Sequence, residues 1–450
     1  MSRFLKLMSI LAIVALIAVP AFAEVQNVKV SGDIDSKMIT RNDYDFNNYT
    51  SGTNADSDTW FMSTARVQID ADLTDNVSTC VRLLNERDWN QEAVADGSGN
   101  TNIALDLASV KMKEMFYAPL TLTIGRQNLR FGNGLVVGDP DSNDRSIGTS
   151  IAAEDFSVRK AFDAVRATFD YNPLVLDIVM AKITAGTVGS SKNDDDTDLY
   201  GINAAYKFDK YNSEAEAYMF AKNTRAANVE SDKIYTYGVR GSLEPISKLV
   251  VDGELAVQRG DYRLGGVSID RSAWAADLGA AYAIDYKWSP KVAARYVYRS
   301  GQKTPPGQAV DTDAAAGVTY KAWDTSFEDQ THGIVANQIF DGNNDGVDSN
   351  SSIINVMASA VPVQDLTVAL DYYYFMLAQK WDTTVTTTRD GLQIRGNKNL
   401  GQEVDFSLGY DYTEDVKLGL TAGFFMPGKT FLTDNNDRAS TVVANVKVAF

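Results

Sequence analysis

Few residues in this 450-residue chain have the chemistry for catalysis or tight metal binding, and those few stand apart from one another. It has one histidine, His332, and one cysteine, Cys80. A lone histidine with no activated serine and orienting partner near it does not make a hydrolase, and one thiol closes no internal disulfide and completes no Cys/His zinc or haem set. Asp341, Asn343, Asp345, Gly346 and Asp348 follow the first half of a D-x-N-x-D-G calcium loop, whose alternate oxygens converge on one centre. Its twelfth position is Ser352 where a bidentate Glu belongs, so the expectation is a weakly bound calcium at most and otherwise no cofactor. Gly125, Gly132, Gly134 and Gly138 crowd residues 125–139. A phosphate-cradling loop would lead into a helix, and no helical period follows; a strand running into a bend fits instead, with 132–160 folding inward. What remains is charge. The chain carries 42 bases against 59 acids, a net charge of -17, which repels phosphates and excludes a nucleic-acid partner.

The elements that must position these groups are strands. Residues 1–23 read as a secretory signal peptide: Arg3 and Lys6, an apolar run from Leu7 to Val19, then small residues at Ala21 and Ala23. That run is too short to span a bilayer as a helix. From Glu24 the dominant period is two: Val28, Val30 and Ile34 alternate with Lys29, Asp33 and Asp35, and Tyr200, Ile202, Ala204 and Tyr206 alternate with Gly201, Asn203 and Lys207. Connections alternate too. Eight short turns (Thr74–Asn76, Tyr117–Pro119, Asn172–Pro173, 209–212, Glu244–Pro245, Trp288–Pro290, 362–365 and Thr413–Asp415) separate nine longer polar loops, at 40–58, 89–103, 132–160, 187–197, 224–232, 261–270, 301–351, 382–398 and 427–439. Seventeen connections make eighteen strands. An even count with short and long connections sorted to opposite ends predicts an all-β, antiparallel transmembrane barrel, one domain over 24–450, with periplasmic turns and external loops. A soluble sandwich would alternate but has no reason to sort its loops. Aromatics near strand ends, among them Tyr171, Phe208, Tyr298, Tyr372, Tyr410 and Tyr412, fit interfacial girdles. The last strand is apolar at every second position and ends on Phe450, which resembles the sorting signal read by the barrel-assembly machinery.

Residues 125–139, GRQNLRFGNGLVVGD, followed by Phe162-Asp163-Ala164-Val165-Arg166, resemble the alginate-export family of outer-membrane porins, whose members carry a GRQ-x-L-x-aromatic-G segment and then an FD-x-V-R strand. Phe327 to Gly333, FEDQTHG, is similar to a loop segment of that family. The resemblance implies an eighteen-stranded passive conduit. Because the conduit of the namesake porins is rich in arginine, it also makes Arg126, Arg130 and Arg166 pore-lining candidates.

Strand phase assigns the remaining candidates. Arg66, Arg82, Lys111, Lys113 and Arg166 fall on the inward face of early strands; Glu214, Glu216, Asp252, Glu254, Asp277, Asp371, Glu403 and Asp405 fall on that of later ones. A basic wall would then oppose an acidic wall, interrupted by Arg240, Arg295 and Arg299, and carry a field across the lumen. This predicts a pore in outer-membrane lipid for small polar or charged solutes, with an oligo- or polysaccharide as the larger option. A surface-binding barrel acting through the 301–351 loop is the competing class, and an enzyme the third.

Overall fold

The computed structural model describes residues 26–46, 57–89, 103–140, 156–184, 196–226, 229–264, 267–304, 319–340, 345–383, 386–387, 393–432 and 436–450. The signal-peptide reading lies outside them. Eighteen antiparallel strands close into one sheet: β1 (Asn27–Asn42), β2 (Ser57–Thr74), β3 (Val77–Asp88), β4 (Ala104–Met112), β5 (Leu120–Asn128), β6 (Ala161–Asp170), β7 (Leu174–Thr184), β8 (Thr197–Phe208), β9 (Ser213–Ala226), β10 (Val229–Ile246), β11 (Leu249–Leu264), β12 (Val267–Ala283), β13 (Lys291–Arg299), β14 (Ser351–Val363), β15 (Leu366–Leu377), then β18 (Asn399–Asp411), β19 (Val416–Pro427) and β20 (Ala439–Ala449). Two short strands, β16 (Thr386–Thr387) and β17 (Gln393–Ile394), form a hairpin in the connection before β18. Closure runs from Asp33 opposite Ala449 to Asn42 opposite Ser440, so every inner ladder has a partner and no sheet edge faces lipid.

The outward face follows the predicted alternation. Val28, Val30, Ile34, Val67, Ile69, Ile178, Met180, Ile202, Leu278 and Leu420 are exposed on the outside, where lipid replaces water as their solvent. Its upper boundary is sharp on one flank. Ile124, Val165, Met180 and Tyr200 stand side by side across β5–β8, and two residues further along the same strands stand Arg126, Asp163, Lys182 and Asp198. The first row belongs to hydrocarbon and the second to headgroups. Phe450 bonds both ways with the backbone of Gly32 and lays its ring where a side chain at 32 would be, sealing the seam between β20 and β1.

Two connections differ from expectation. The turn placed at Glu244–Pro245 is a register shift within the β10–β11 pairing, and the chain reverses at Ser247–Lys248. The loops expected at 224–232 and 261–270 are mostly strand, because β9–β12 continue past the membrane as long paired ribbons.

The inside departs further. Strands with apolar residues on both faces near their loop ends, such as Ile178-Val179-Met180-Ala181 and Ala273-Trp274-Ala275-Ala276, bury their inner face against loop residues. One apolar cluster joins Leu129, Phe131, Leu135, Val136, Val137, Trp323 and Phe327 to Phe162, Val179 and Phe220 of the wall. A second joins Val335, Ala336, Ile339, Phe340 and Val347 to Ile353, Phe375, Leu400 and Phe425, with Phe46 and Phe431. The lumen thus holds two hydrophobic cores, supplied by the β5–β6 and β13–β14 connections.

Candidate functional site

The two inward loops meet each other. Phe327 accepts hydrogen bonds from the N–H groups of Gly138 (2.7 Å) and Asp139 (3.1 Å) and donates its own to Val136 (3.0 Å), and the Asp329 N–H bonds the Gly134 carbonyl at 2.8 Å. Phe162 packs edge-on to Phe327, with ring centroids 6.1 Å apart, and the Arg166 guanidinium lies 5.4 Å from the Phe131 ring. All three segments that resemble the alginate-export family therefore converge on one contact inside the barrel.

The wall receives these loops through carboxylates. Glu216 accepts the Gly132 N–H at 3.1 Å and Glu254 the Asn133 N–H at 2.6 Å. The Asn133 side chain donates to Asp252 (3.1 Å) and Asp277 (3.3 Å) and accepts from Arg240 (2.7 Å). Further round the wall Glu403 accepts the N–H groups of Val335 (2.7 Å) and Ala336 (2.8 Å), and Asp405 accepts that of Ile334 (3.0 Å). Glu254, Asp277 and Glu403 are fully buried by these contacts. Six of the eight acidic-wall candidates thus hold loop backbone or the Asn133 amide directly. Asp371 takes only the Asn355 amide at 3.3 Å, and Glu214 has no side-chain partner among the described residues.

The expected basic wall is corrected in three respects. Arg66 pairs with Asp33 (2.8 Å), Arg82 with Asp106 and Arg166 with Asp177 (2.7 Å), all acids of adjacent strands, so that wall is not net basic and the transverse field collapses into local dipoles. Arg126 shares the outward phase of Ile124 and pairs with exposed Asp163 at 3.1 Å, so it does not face the lumen. Lys113 lies one residue past β4, at the periplasmic rim. Lys111 is lumenal and has no ion pair among the described residues. It shares a cavity of about 350 Å³ with Asp70, Asp72, Cys80, Thr123, Gln127 and Arg166, near the short-turn end.

Between the loops and β12–β15 a larger cavity of about 530 Å³ remains, lined by Arg130, Asn133, Asp277, Arg295, Asp329, Gln330, Thr331, His332, Asn355 and Tyr373. Arg130 pairs with Asp329 and bonds the Asn133 carbonyl at 3.1 Å; Arg295 bridges Asp277 and Asp252. His332 Nε2 lies 3.0 Å from Arg299 Nη2 and accepts from that guanidinium, since arginine can only donate. Burial, then Arg299 and Arg295, hold its pKa well below the ordinary histidine range. The ring is neutral, with the nitrogen a general base would use already engaged. Of the calcium residues, Asp341 and Asn343 lie outside the described residues, Asp345 caps the Val347 N–H at 3.0 Å and Asp348 is buried; no group of three ligating side chains gathers among the described residues. The acid-to-backbone pattern was not foreseen, although glycines 132 and 333 beside polar loop residues were its visible trace.

Solved structures of similar shape include an outer-membrane protein. Acinetobacter baumannii OccAB1 superposes with a TM-score of 0.57 at 13% identity, covering 95% of this chain and 97% of its own. Pseudomonas aeruginosa OpdK gives 0.55 at 11%, covering 95% and 100%, and P. aeruginosa OccK2 (OpdF), in complex with glucuronate, gives 0.54 at 10%, covering 95% and 99%. At such identities they show the fold alone. No curated protein sequence matches. The model of one family, Alginate export, matches residues 37–445, nearly the whole barrel and all three converging segments: the chain belongs to the alginate export family and is a porin-like protein of the bacterial outer membrane.

Proposed function

We propose that the chain is a passive channel for small polar or singly charged solutes of about monosaccharide size, and that solutes pass through the space that the two inward loops leave against β12–β15. The carrying observation is the loop-lined cavity of about 530 Å³, within the range of small-molecule sites. Its two arginines are each matched by aspartates, and Asn133, Gln330, Thr331, Asn355 and Tyr373 add donors and acceptors. Such a wall offers hydrogen bonds and paired charges in place of a net potential, which suits hydroxylated, zwitterionic or hydroxy-acid solutes. The glucuronate complex of OccK2 supports a solute of that size and chemistry. An extended polysaccharide fits less well, because both loops anchor apolar clusters in its way. The surface-binding reading loses its main element, since the described part of 301–351 turns inward.

Single-channel current in a planar bilayer tests this. Small unitary steps, reduced by millimolar glucuronate or a zwitterionic amino acid and little affected by polymer, are expected; a folded barrel passing no current would overturn the reading.

A further inference from the structure

Each inward loop reaches the wall through a glycine whose backbone is left-handed, φ +58° at Gly132 and +79° at Gly333. Each of these glycines sits directly on a buried glutamate: a Cβ at 132 would fall 2.6 Å from a Glu254 oxygen, and one at 333 would fall 2.5 Å from a Glu403 oxygen. In both loops the N–H groups just after the glycine turn onto that carboxylate, from Asn133 in one and from Val335 and Ala336 in the other. Successive N–H groups around a left-handed residue form a concavity that binds an anion. Here the place of the anion is taken by a carboxyl group of the wall.

We propose that Glu254 and Glu403 are positioning residues that set the width of the passage by latching the two loops to separate stretches of the wall. This rests on the channel reading. Loops 129–140 and 319–340 lie about two hundred positions apart in sequence and on separate wall segments, β9–β12 and β18, yet share this device. Apolar packing alone could slide; the carboxylates fix where each loop stops.

The two latches differ chemically. Both Glu403 oxygens accept a backbone N–H, so an amide there sets its own NH₂ against a donor. At Glu254 the second oxygen accepts the Tyr218 hydroxyl at 2.5 Å, which can rotate and accept instead. Glu403→Gln should therefore loosen its loop more than Glu254→Gln does. Gly333→Ala, which changes no charge, should act like Glu403→Gln by pushing the loop off its seat.

The test compares wild type, Glu254→Gln, Glu403→Gln and Gly333→Ala, each confirmed as a folded barrel by heat-modifiable gel mobility, in planar bilayers with KCl. Expected is a roughly twofold rise in unitary conductance with frequent stepping between levels for Glu403→Gln and Gly333→Ala, and a smaller rise for Glu254→Gln. If Glu403→Gln yields no folded barrel, Gly333→Ala decides on the same readings. Folded variants that conduct with wild-type level and noise would overturn the latch while leaving the channel standing. A folded wild type without current would overturn both.

Discussion

The two sides of the lumen use the same ionisable groups for different ends. On the β1–β7 side, Arg66, Arg82 and Arg166 are each met by a carboxylate of the next strand, side chain to side chain, with the guanidinium partly exposed to the lumen. On the β9–β18 side, Glu216, Glu254, Glu403 and Asp405 meet backbone N–H groups of loops that come from elsewhere in the chain. Formal charge describes both sides equally badly. What a carboxylate does is decided by its donor: a neighbouring guanidinium turns it into a local dipole, whereas a loop backbone turns it into a support.

The sharpest way to break this contrast is to delete one carboxylate on each side. Asp277→Ala leaves the amides of Asn133 and Gln330 and one arm of Arg295 without their buried acceptor, and should cost about 3–5 kcal/mol of barrel stability in urea unfolding. Asp177→Ala leaves Arg166, whose guanidinium is partly exposed and open to rehydration, and the Thr168 hydroxyl without their acceptor, and should cost less than Asp277→Ala while shifting the reversal potential toward anions. Equal losses of stability would dissolve the distinction.

Neutralising Arg66, Arg82 and Arg166 together leaves Asp33, Asp106 and Asp177 without their guanidinium partners, so selectivity of the folded barrel should move toward cations. An unchanged reversal potential would place these side chains off the conducting path. Acid separates the sides more gently. Burial raises the pKa of Asp324, in the β13–β14 loop, but Lys222 and Arg271 outweigh it and hold the carboxyl at about 2. Its support, of order 2 kcal/mol, is complete above the ordinary carboxylate value and lost as pH falls toward 2. Circular dichroism between pH 5 and 2 should show an acid-dependent loss of stability that Asp324→Asn largely removes. The smallest effect belongs to His332: held neutral as an acceptor for Arg299, it should give no pH dependence of conductance between 5 and 7, and His332→Gln should conduct like wild type across that range.

The barrel was legible because every strand stands between two solvents, and that imposes a period of two wherever Val, Ile and Tyr face lipid. The sorted turns followed for the same reason. The site was legible only in part. Phase alone puts Arg126 outside with Ile124, and its assignment to the pore came from resemblance. Phase says which strand face an acid occupies, but the partners of these acids are backbone groups up to 121 residues away, which no local pattern encodes. The filled lumen had a trace in double-sided apolar stretches such as Ile353-Ile354 and Phe375-Met376-Leu377, which a strand between water and lipid does not need.

The contact between Phe327 and residues 136–139 also bears on how such a pore could change its solute. Neither loop shapes the passage alone, since each forms part of the other's seat and each rests on acids of separate strands. Grafting one loop from a relative would import a surface cut for a different partner. New selectivity would have to be inherited as a matched set of two loops and their supporting acids, and the barrel around them could drift freely in sequence without altering what passes.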